Sequence, residues 1–104
     1  MFEYKVVDLL PIGKRSIVFT GKIGQGEVHV GDSLILSSPQ GELAVTVTSL
    51  EPSGFRSSCA MAGDNVAIVI ACQDLDTVAD GFRHVEGNTY QVKSLTLHAK
   101  LSVE

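Results

Sequence analysis

The fold of this chain is decided by residues 16–32, which read SIVFTGKIGQGEVHVGD. Residues 16–20 are rich in β-branched and aromatic side chains, which is typical of a short strand. Gly21 then stands where a strand must bend or let another backbone approach closely. Gly26 and Gly31 bracket a short excursion, where they can supply positive φ angles. Asp32 follows a glycine, as Asp64 does later, and a short carboxylate in that place can cap exposed turn amides.

Strand patterns also cover most of the remaining sequence. Residues 43–48 alternate apolar and polar side chains, and residues 65–72 are apolar on both faces, which suits a central barrel strand. The cleanest alternation comes near the end, where five apolar side chains alternate with polar ones: Leu95, Leu97, Ala99, Leu101 and Val103. Residues 73–79 are long enough for one helical turn at most. With glycine turns at short intervals, the pattern predicts one all-β domain over residues 1–104, a small antiparallel barrel or sandwich.

Composition excludes several classes of protein. The chain has 104 residues, of which 44% are hydrophobic and 19% charged, so it is globular rather than disordered. Its net charge of −4 argues against a free-standing, high-affinity binder of nucleic acid. The longest apolar run falls far short of a membrane helix, and the N-terminus does not resemble a secretory signal, so we expect a cytoplasmic protein without membrane contact.

Catalysis is not expected from the side chains present. The cysteines, Cys59 and Cys72, match no metal or redox spacing, and the three histidines, His29, His84 and His98, match no metal-ligand spacing. No grouping of serine, histidine and aspartate suggests a catalytic triad. We therefore expect neither an enzyme nor a cofactor.

Two motifs resemble domain 2 of the translational GTPases, the β-barrel best known from elongation factor Tu. That family writes Thr-Gly-Arg-x-x-x-Gly and then x-x-x-Val-Gly-Asp/Glu, a spacing that residues 20–32 keep. Residues 62–66 match its Ala-Gly-Asp/Glu-Asn-Val, and residues 80–82 (Asp-Gly-Phe) are similar to the segment that closes the domain. The resemblance covers about residues 5–82 and implies a closed barrel of the translation-protein type. Residues 83–104 would be a C-terminal extension that adds a strand.

This sequence departs from the family pattern in two ways. The arginine that aligns with Arg15 is usually flanked by glycines, whereas Lys14 and Ser16 stand here. The sequence also contains no G-x-x-x-x-G-K-[ST] phosphate loop, so we expect that it is not a GTPase by itself.

The resemblance also implies a site. Elongation factor Tu uses its second domain to help hold the 3′ end of aminoacylated transfer RNA, and counting from the fourth strand puts Glu51 and Asn65 on two of the residues involved. A carboxylate and an amide can recognise ribose hydroxyls and base edges. Arg15 and Arg56, with Lys14 and Lys22, could add a basic patch for phosphate. The alternative is structural: Glu51 is then a solvated loop acid, and Asn65 is a turn residue whose amide points inward.

Two functions follow from this sequence. The first is a non-catalytic, translation-factor-like barrel that binds transfer or ribosomal RNA, or a ribosome-associated protein. The alternative is a protein-interaction module that has kept the barrel and lost RNA binding. A GTPase on a separate chain would be a further partner. The apolar row at the C-terminus must be covered, so its strand either completes the barrel or pairs across a homodimer.

Overall fold

The chain is almost entirely β-structure. A computed structural model describes residues 2–12, 16–52, 55–71, 75–87 and 89–99. The strands are β1 (Glu3–Ile12), β2 (Ser16–Gln25), β3 (Glu27–His29), β4 (Ser33–Ser37), β5 (Glu42–Pro52), β6 (Cys59–Met61), β7 (Asn65–Ala71), β8 (Phe82–Glu86), β9 (Thr89–Val92) and β10 (Thr96–Ala99). A 3-10 helix, Asp76–Gly81, precedes β8.

Six of these strands close into an antiparallel barrel in the order β1-β10-β4-β5-β7-β2, and β2 pairs again with β1. Two small sheets, β3–β6 and β8–β9, complete the described structure. The barrel is filled with apolar side chains such as Phe19, Leu36 and Ile68, none of which is exposed to solvent. No charged side chain is buried in the part of the chain that the structure describes. The prediction of a closed all-β barrel is confirmed.

Strand β7 lies between β2 and β5, with both of its edges hydrogen-bonded. Val66, Ile68 and Ile70 point into the core, while Ala67 and Val69 are half-buried on the outer surface of the barrel. This placement explains why the sequence there is apolar on both faces, and it agrees with the prediction of a central strand. Cys72, the last residue of the predicted run, lies outside the described residues.

The C-terminal strand completes the ring. β10 pairs with β1 on one side and with β4 on the other, and Leu95 and Leu97 are buried in the core. Closure of the barrel therefore needs residues beyond the 5–82 that carry the family motifs. Because both edges of β10 are used within the chain, its apolar row needs no second copy to cover it. Leu101 and Val103 lie outside the described residues.

One end of the barrel is covered by the 3-10 helix, and we call this region the closed end: the helix together with residues 38–41 between β4 and β5. Val78 of the helix is fully buried. The Asp80 carboxylate accepts a hydrogen bond from the Ser38 hydroxyl at 2.6 Å and another from the Gln40 backbone N–H at 2.9 Å. These bonds attach the helix to the turn beneath it. The single helical turn expected over residues 73–79 therefore lies slightly later, at Asp76–Gly81.

The hairpin of β8 and β9, which includes His84 in β8, was not predicted. The hairpin packs Phe82 edge-on against Tyr90, with ring centroids 5.9 Å apart. A register shift between His84 and Glu86 interrupts its alternation. A shift of this kind removes the period-2 signal on which strand prediction depends.

The predicted turn chemistry is confirmed at two matching corners. Gly31 and Gly63 both have φ of 95°, in the region that favours glycine. The carboxylate of the following aspartate accepts a backbone N–H from three residues earlier: His29 N–H to Asp32 at 2.8 Å, and Met61 N–H to Asp64 at 3.0 Å. The two corners flank the β3–β6 pair and hold it against the barrel.

Candidate functional site

A groove of about 400 Å³ opens on the outer surface of the barrel, where β2, β7 and β5 run side by side. It is lined by seven residues from four strands: Val7, Thr20, Gly21, Glu51, Asn65, Val66 and Ala67. Strand register explains its floor. Ala67 stands opposite Thr20 of β2 on one side and Glu51 of β5 on the other. Because Ala67 is small, its larger neighbours form the sides of a depression.

Glu51 and Asn65 meet in this groove. Glu51 is half-buried and lies near the end of β5, while Asn65 is exposed and begins β7. They come together because Ala67, the register partner of Glu51, is two residues beyond Asn65 and faces the same side of the sheet. Within the described chain neither side chain makes a hydrogen bond or ion pair. The alternative in which the Asn65 amide turns inward to satisfy a turn does not fit its exposure.

The two arginines of the predicted site are placed differently. Arg15 lies outside the described residues. Arg56 is exposed on the segment between β5 and β6, and it does not line the groove. Its neighbour Phe55 is 78% exposed, the largest value among the described large hydrophobic residues. This segment returns to β5 through a hydrogen bond from the Ser57 N–H to the Leu50 carbonyl, 2.9 Å long. Arg56 and Phe55 therefore belong to the segment that connects β5, the strand of Glu51, to β6.

The groove is supported from inside the barrel by Tyr4. Its side chain is 1% exposed, and its hydroxyl donates a 2.8 Å hydrogen bond to the carbonyl of Val66, a residue of the groove. Burial raises the pKa of the Tyr4 phenol, so the neutral form that donates this bond is favoured. Gly21 makes room for the arrangement, because a Cβ there would lie 3.2 Å from the Tyr4 ring and would collide with the Lys5 carbonyl. The close approach predicted at Gly21 is thus observed.

Several groove residues could not be found from the sequence. Val7 is 61% exposed and lies at a register shift between Val6 and Asp8. The alternation of β1 up to Val6 places Val7 on the outer surface, but an apolar side chain there gives no sign of a site. Thr20 and Ala67 carry no chemical signal of their own, and they line the groove only through their register.

The remaining candidates from the sequence, the histidines and possible metal ligands, form no site among the described residues. The His29 ring lies 3.8 Å from the Glu27 carboxylate and 3.8 Å from that of Asp32, on an exposed turn. The described residues contain no cluster of three or more His, Cys, Asp and Glu side chains suited to a metal ion. Among the same residues no helix is long and apolar enough to cross a membrane.

Comparison with known proteins gives one consistent result. No protein-family model matches the sequence. The structure is similar to translation elongation factor SelB from Methanococcus maripaludis, both in its apo form and in complex with the GTP analogue GppNHp. Both comparisons give a TM-score of 0.71 and 26% sequence identity over 95% of this chain.

The similarity covers only part of the SelB chain. The protein described here spans 19% of the length of that factor. Together with the motifs at residues 20–32 and 62–66, this match agrees with the resemblance found in the sequence. The chain therefore has the β-barrel fold of elongation factor Tu domain 2 and resembles a domain of a translation elongation factor.

Proposed function

We propose that this protein is a non-catalytic, translation-factor-like module that binds RNA through the groove of Glu51 and Asn65. The observation that carries the proposal is the convergence of these two side chains on one open cavity, with their polar atoms unused within the described chain. Polar side chains at a surface are solvated by water, so the distinguishing feature of this pair is that both line one cavity. A carboxylate and an amide left free beside an apolar floor are suited to a ligand with hydroxyl and ring groups.

The chemistry of the groove fits a nucleotide of single-stranded RNA. The Glu51 carboxylate can accept a hydrogen bond from a ribose 2′-hydroxyl, and the Asn65 amide can both donate to and accept from a base edge. The apolar surfaces of Val7 and Ala67 can pack against the sugar or base. Phe55, exposed on the neighbouring loop, offers a ring for stacking. We assign phosphate contacts to Arg56 and Arg15.

The partner proposed is transfer or ribosomal RNA, in keeping with the similarity to a translation factor, and such a role is cytoplasmic. Binding should be weak, because the net charge of −4 gives no long-range attraction to phosphate. It should also fall with added salt, because the proposed arginine contacts to phosphate are ionic. The groove supplies positioned hydrogen bonds rather than strong electrostatic affinity.

Fluorescence anisotropy with labelled transfer RNA and a ribosomal RNA fragment at low salt tests the proposal. Glu51→Ala and Asn65→Ala should each weaken binding by roughly 3- to 10-fold, the effect of about one lost hydrogen bond. Glu86→Ala is the matched control, since it removes an exposed carboxylate from β8, away from the groove lining. No association of the unaltered protein with either RNA would overturn the proposal.

A protein-interaction module is the second candidate, and the outer surface next to the groove favours it. Leu10, Val18 and Val69 stand in one row across β1, β2 and β7 on the outer side of the sheet. Leu10 is 45% exposed, and Ile12, at the end of the same strand, is 41% exposed. A contiguous exposed apolar area of this kind is typical of protein contact surfaces. A ribosome-associated protein or a separate GTPase chain would be such a partner, and a second copy of this chain is the homodimer alternative.

A pull-down carried out with and without nuclease separates the two functions. Capture that disappears after nuclease treatment supports RNA binding. Capture of the same protein in both conditions, lost in Leu10→Ser, supports the interaction module.

A further inference from the structure

Two lysines stand side by side on the outer surface of the barrel. Lys5 of β1 and Lys22 of β2 are direct register partners, and both are exposed. Side chains directly opposite each other in an antiparallel pair have Cβ atoms about 5 Å apart. The register therefore keeps two positive charges close together on a protein whose net charge is −4.

Neither charge is neutralised within the described chain. No ion pair or hydrogen bond joins Lys5 or Lys22 to any described side chain. The nearby Asp64 carboxylate accepts the Met61 backbone N–H at 3.0 Å, as part of its turn. Like charges directly opposite in a sheet are destabilising, so the pair costs stability unless an anion binds between them.

The lysine pair borders the groove. Lys22 is also the register partner of Asn65, so Lys5, Lys22 and Asn65 form one row across β1, β2 and β7. All three are exposed, and neighbouring strands are about 4.8 Å apart. Lys22 also directly follows Gly21, which lines the groove. An anion held by the lysines would therefore lie about one inter-strand spacing from the Asn65 amide.

We propose that Lys5 and Lys22 bind the phosphodiester adjacent to the nucleotide that occupies the groove. The inference rests on the proposed RNA-binding function and adds to it the direction in which the RNA crosses the barrel surface. The RNA backbone crosses β1 and β2 at the lysine pair, and the sugar and base lie over β7 toward Glu51 on β5. The lysines contribute charge, whereas Asn65 and Glu51 contribute hydrogen bonds.

The test is the salt dependence of binding to a fluorescein-labelled single-stranded RNA of about twelve nucleotides, a length that exceeds the groove. Each phosphate neutralised on a single strand contributes about 0.7 to the slope of log K against log salt concentration. The double variant Lys5→Gln/Lys22→Gln should reduce the magnitude of this slope by about 0.7, the contribution of the one phosphodiester that the pair holds. Lys5→Arg/Lys22→Arg keeps the charges and should keep the slope.

Two controls make the outcome specific. Arg83→Gln removes one positive charge from β8, where Arg83 donates a hydrogen bond to Gln91, and it should leave the slope unchanged. Asn65→Ala should weaken binding without changing the slope, because it removes no charge. Circular dichroism checks that every variant is folded.

The possible failures are distinguishable. If the unaltered protein binds the RNA and the double lysine variant keeps its slope, the phosphate assignment is overturned while the proposed function stands. If Arg83→Gln, which removes one charge, changes the slope by half as much as the double lysine variant does, the effect is one of net charge, and the assignment is again overturned. If the unaltered protein does not bind RNA even at low salt, the proposed function fails and the assignment fails with it.

Discussion

At the closed end of the barrel the polar side chains are used within the molecule, whereas at the groove they are not. Asp80 accepts two hydrogen bonds there, from Ser38 and from the backbone of Gln40. In the groove, the hydrogen bond from Tyr4 to Val66 lies below the floor, and Glu51 and Asn65 above it have no partner in the described chain.

This difference separates two uses of polar side chains on one barrel. A carboxylate with two short hydrogen bonds contributes to folding, and its removal takes the acceptor from the partly buried Ser38 hydroxyl and from the Gln40 backbone N–H. A surface carboxylate with none is solvated and contributes little to folding, so its removal should leave stability almost unchanged. The comparison therefore makes opposite predictions for the two regions: large losses of stability at the closed end, and losses of binding alone at the groove.

The largest effect is expected from deletion of residues 94–104, which removes β10 and the buried Leu95 and Leu97. β1 and β4 are joined only through β10 in the barrel, so the deletion opens the ring. Losing two buried leucines costs about 4 to 10 kcal/mol, which is comparable with the whole stability of a small domain. We expect no cooperative thermal transition by circular dichroism. A truncated protein with an unchanged melting temperature and hydrodynamic radius would contradict the placement of β10.

At the closed end, Gly81→Ala should destabilise the protein by about 3 kcal/mol. A Cβ at this position would lie 2.5 Å from both the Ser94 carbonyl oxygen and a Leu95 methyl carbon, so the backbone must shift. Gly24→Ala is the matched control, because its nearest contact would be the Glu3 carbonyl oxygen at 3.8 Å. Urea denaturation of the two variants measures the difference. Equal stabilities would show that the closed end is not tightly packed.

Asp80→Ala tests the hydrogen bonds of the same region and should cost about 2 kcal/mol, since it removes two charge-assisted bonds. The control is Asp8→Ala, which removes an exposed carboxylate that has no hydrogen bond to the described residues. Chemical denaturation should show a loss for Asp80→Ala that is at least 1 kcal/mol greater than the loss for Asp8→Ala, by the same reasoning. Similar losses of stability in the two variants would show that the hydrogen bonds of Asp80 do not stabilise the closed end.

Tyr4→Phe tests the support under the groove floor and should cost about 1 kcal/mol at pH 8, because the Val66 carbonyl loses its donor. Burial raises the pKa of Tyr4 above its usual value near 10, so folding favours the neutral phenol. The stability that this shift contributes is complete below about pH 10 and is lost as pH rises further, since the unfolded chain ionises first. The unaltered protein should therefore lose more stability than Tyr4→Phe between about pH 9 and pH 11. Parallel losses over this range would mean that Tyr4 is more accessible to water than its burial indicates.

A feature of the fold or of the groove could be predicted from the sequence when it depends on residues that are close together in the chain. The positive φ at Gly31 and the capping by Asp32 are properties of single turns, and the glycine–aspartate pattern predicted them. The central strand β7 and the C-terminal strand β10 were also predicted, because their apolar patterns are long enough to be unambiguous. Closure of the barrel followed from the family motifs rather than from any one strand.

Features that depend on the register between strands could not be predicted from the sequence. The β8–β9 hairpin contains a register shift that interrupts its alternation. Glu51 and Asn65 were named by resemblance, but their meeting on one cavity depends on the pairing of Glu51 with Ala67. The pairing of Lys5 with Lys22 depends likewise on the register of β1 and β2. No one-dimensional pattern contains these alignments.

The smallest change in stability is expected for Glu51→Ala and Asn65→Ala, within about 0.5 kcal/mol of the unaltered protein, the usual range for surface positions without partners. Both side chains lie on the outer surface, and no described donor or acceptor is left unsatisfied when either is removed. Denaturation in urea, without RNA, gives the comparison with Asp80→Ala under identical conditions. A loss of more than about 1 kcal/mol at either groove position would assign that side chain a structural role of the kind Asp80 has. Unchanged stability together with weakened RNA binding is the combination that only a ligand-binding groove produces.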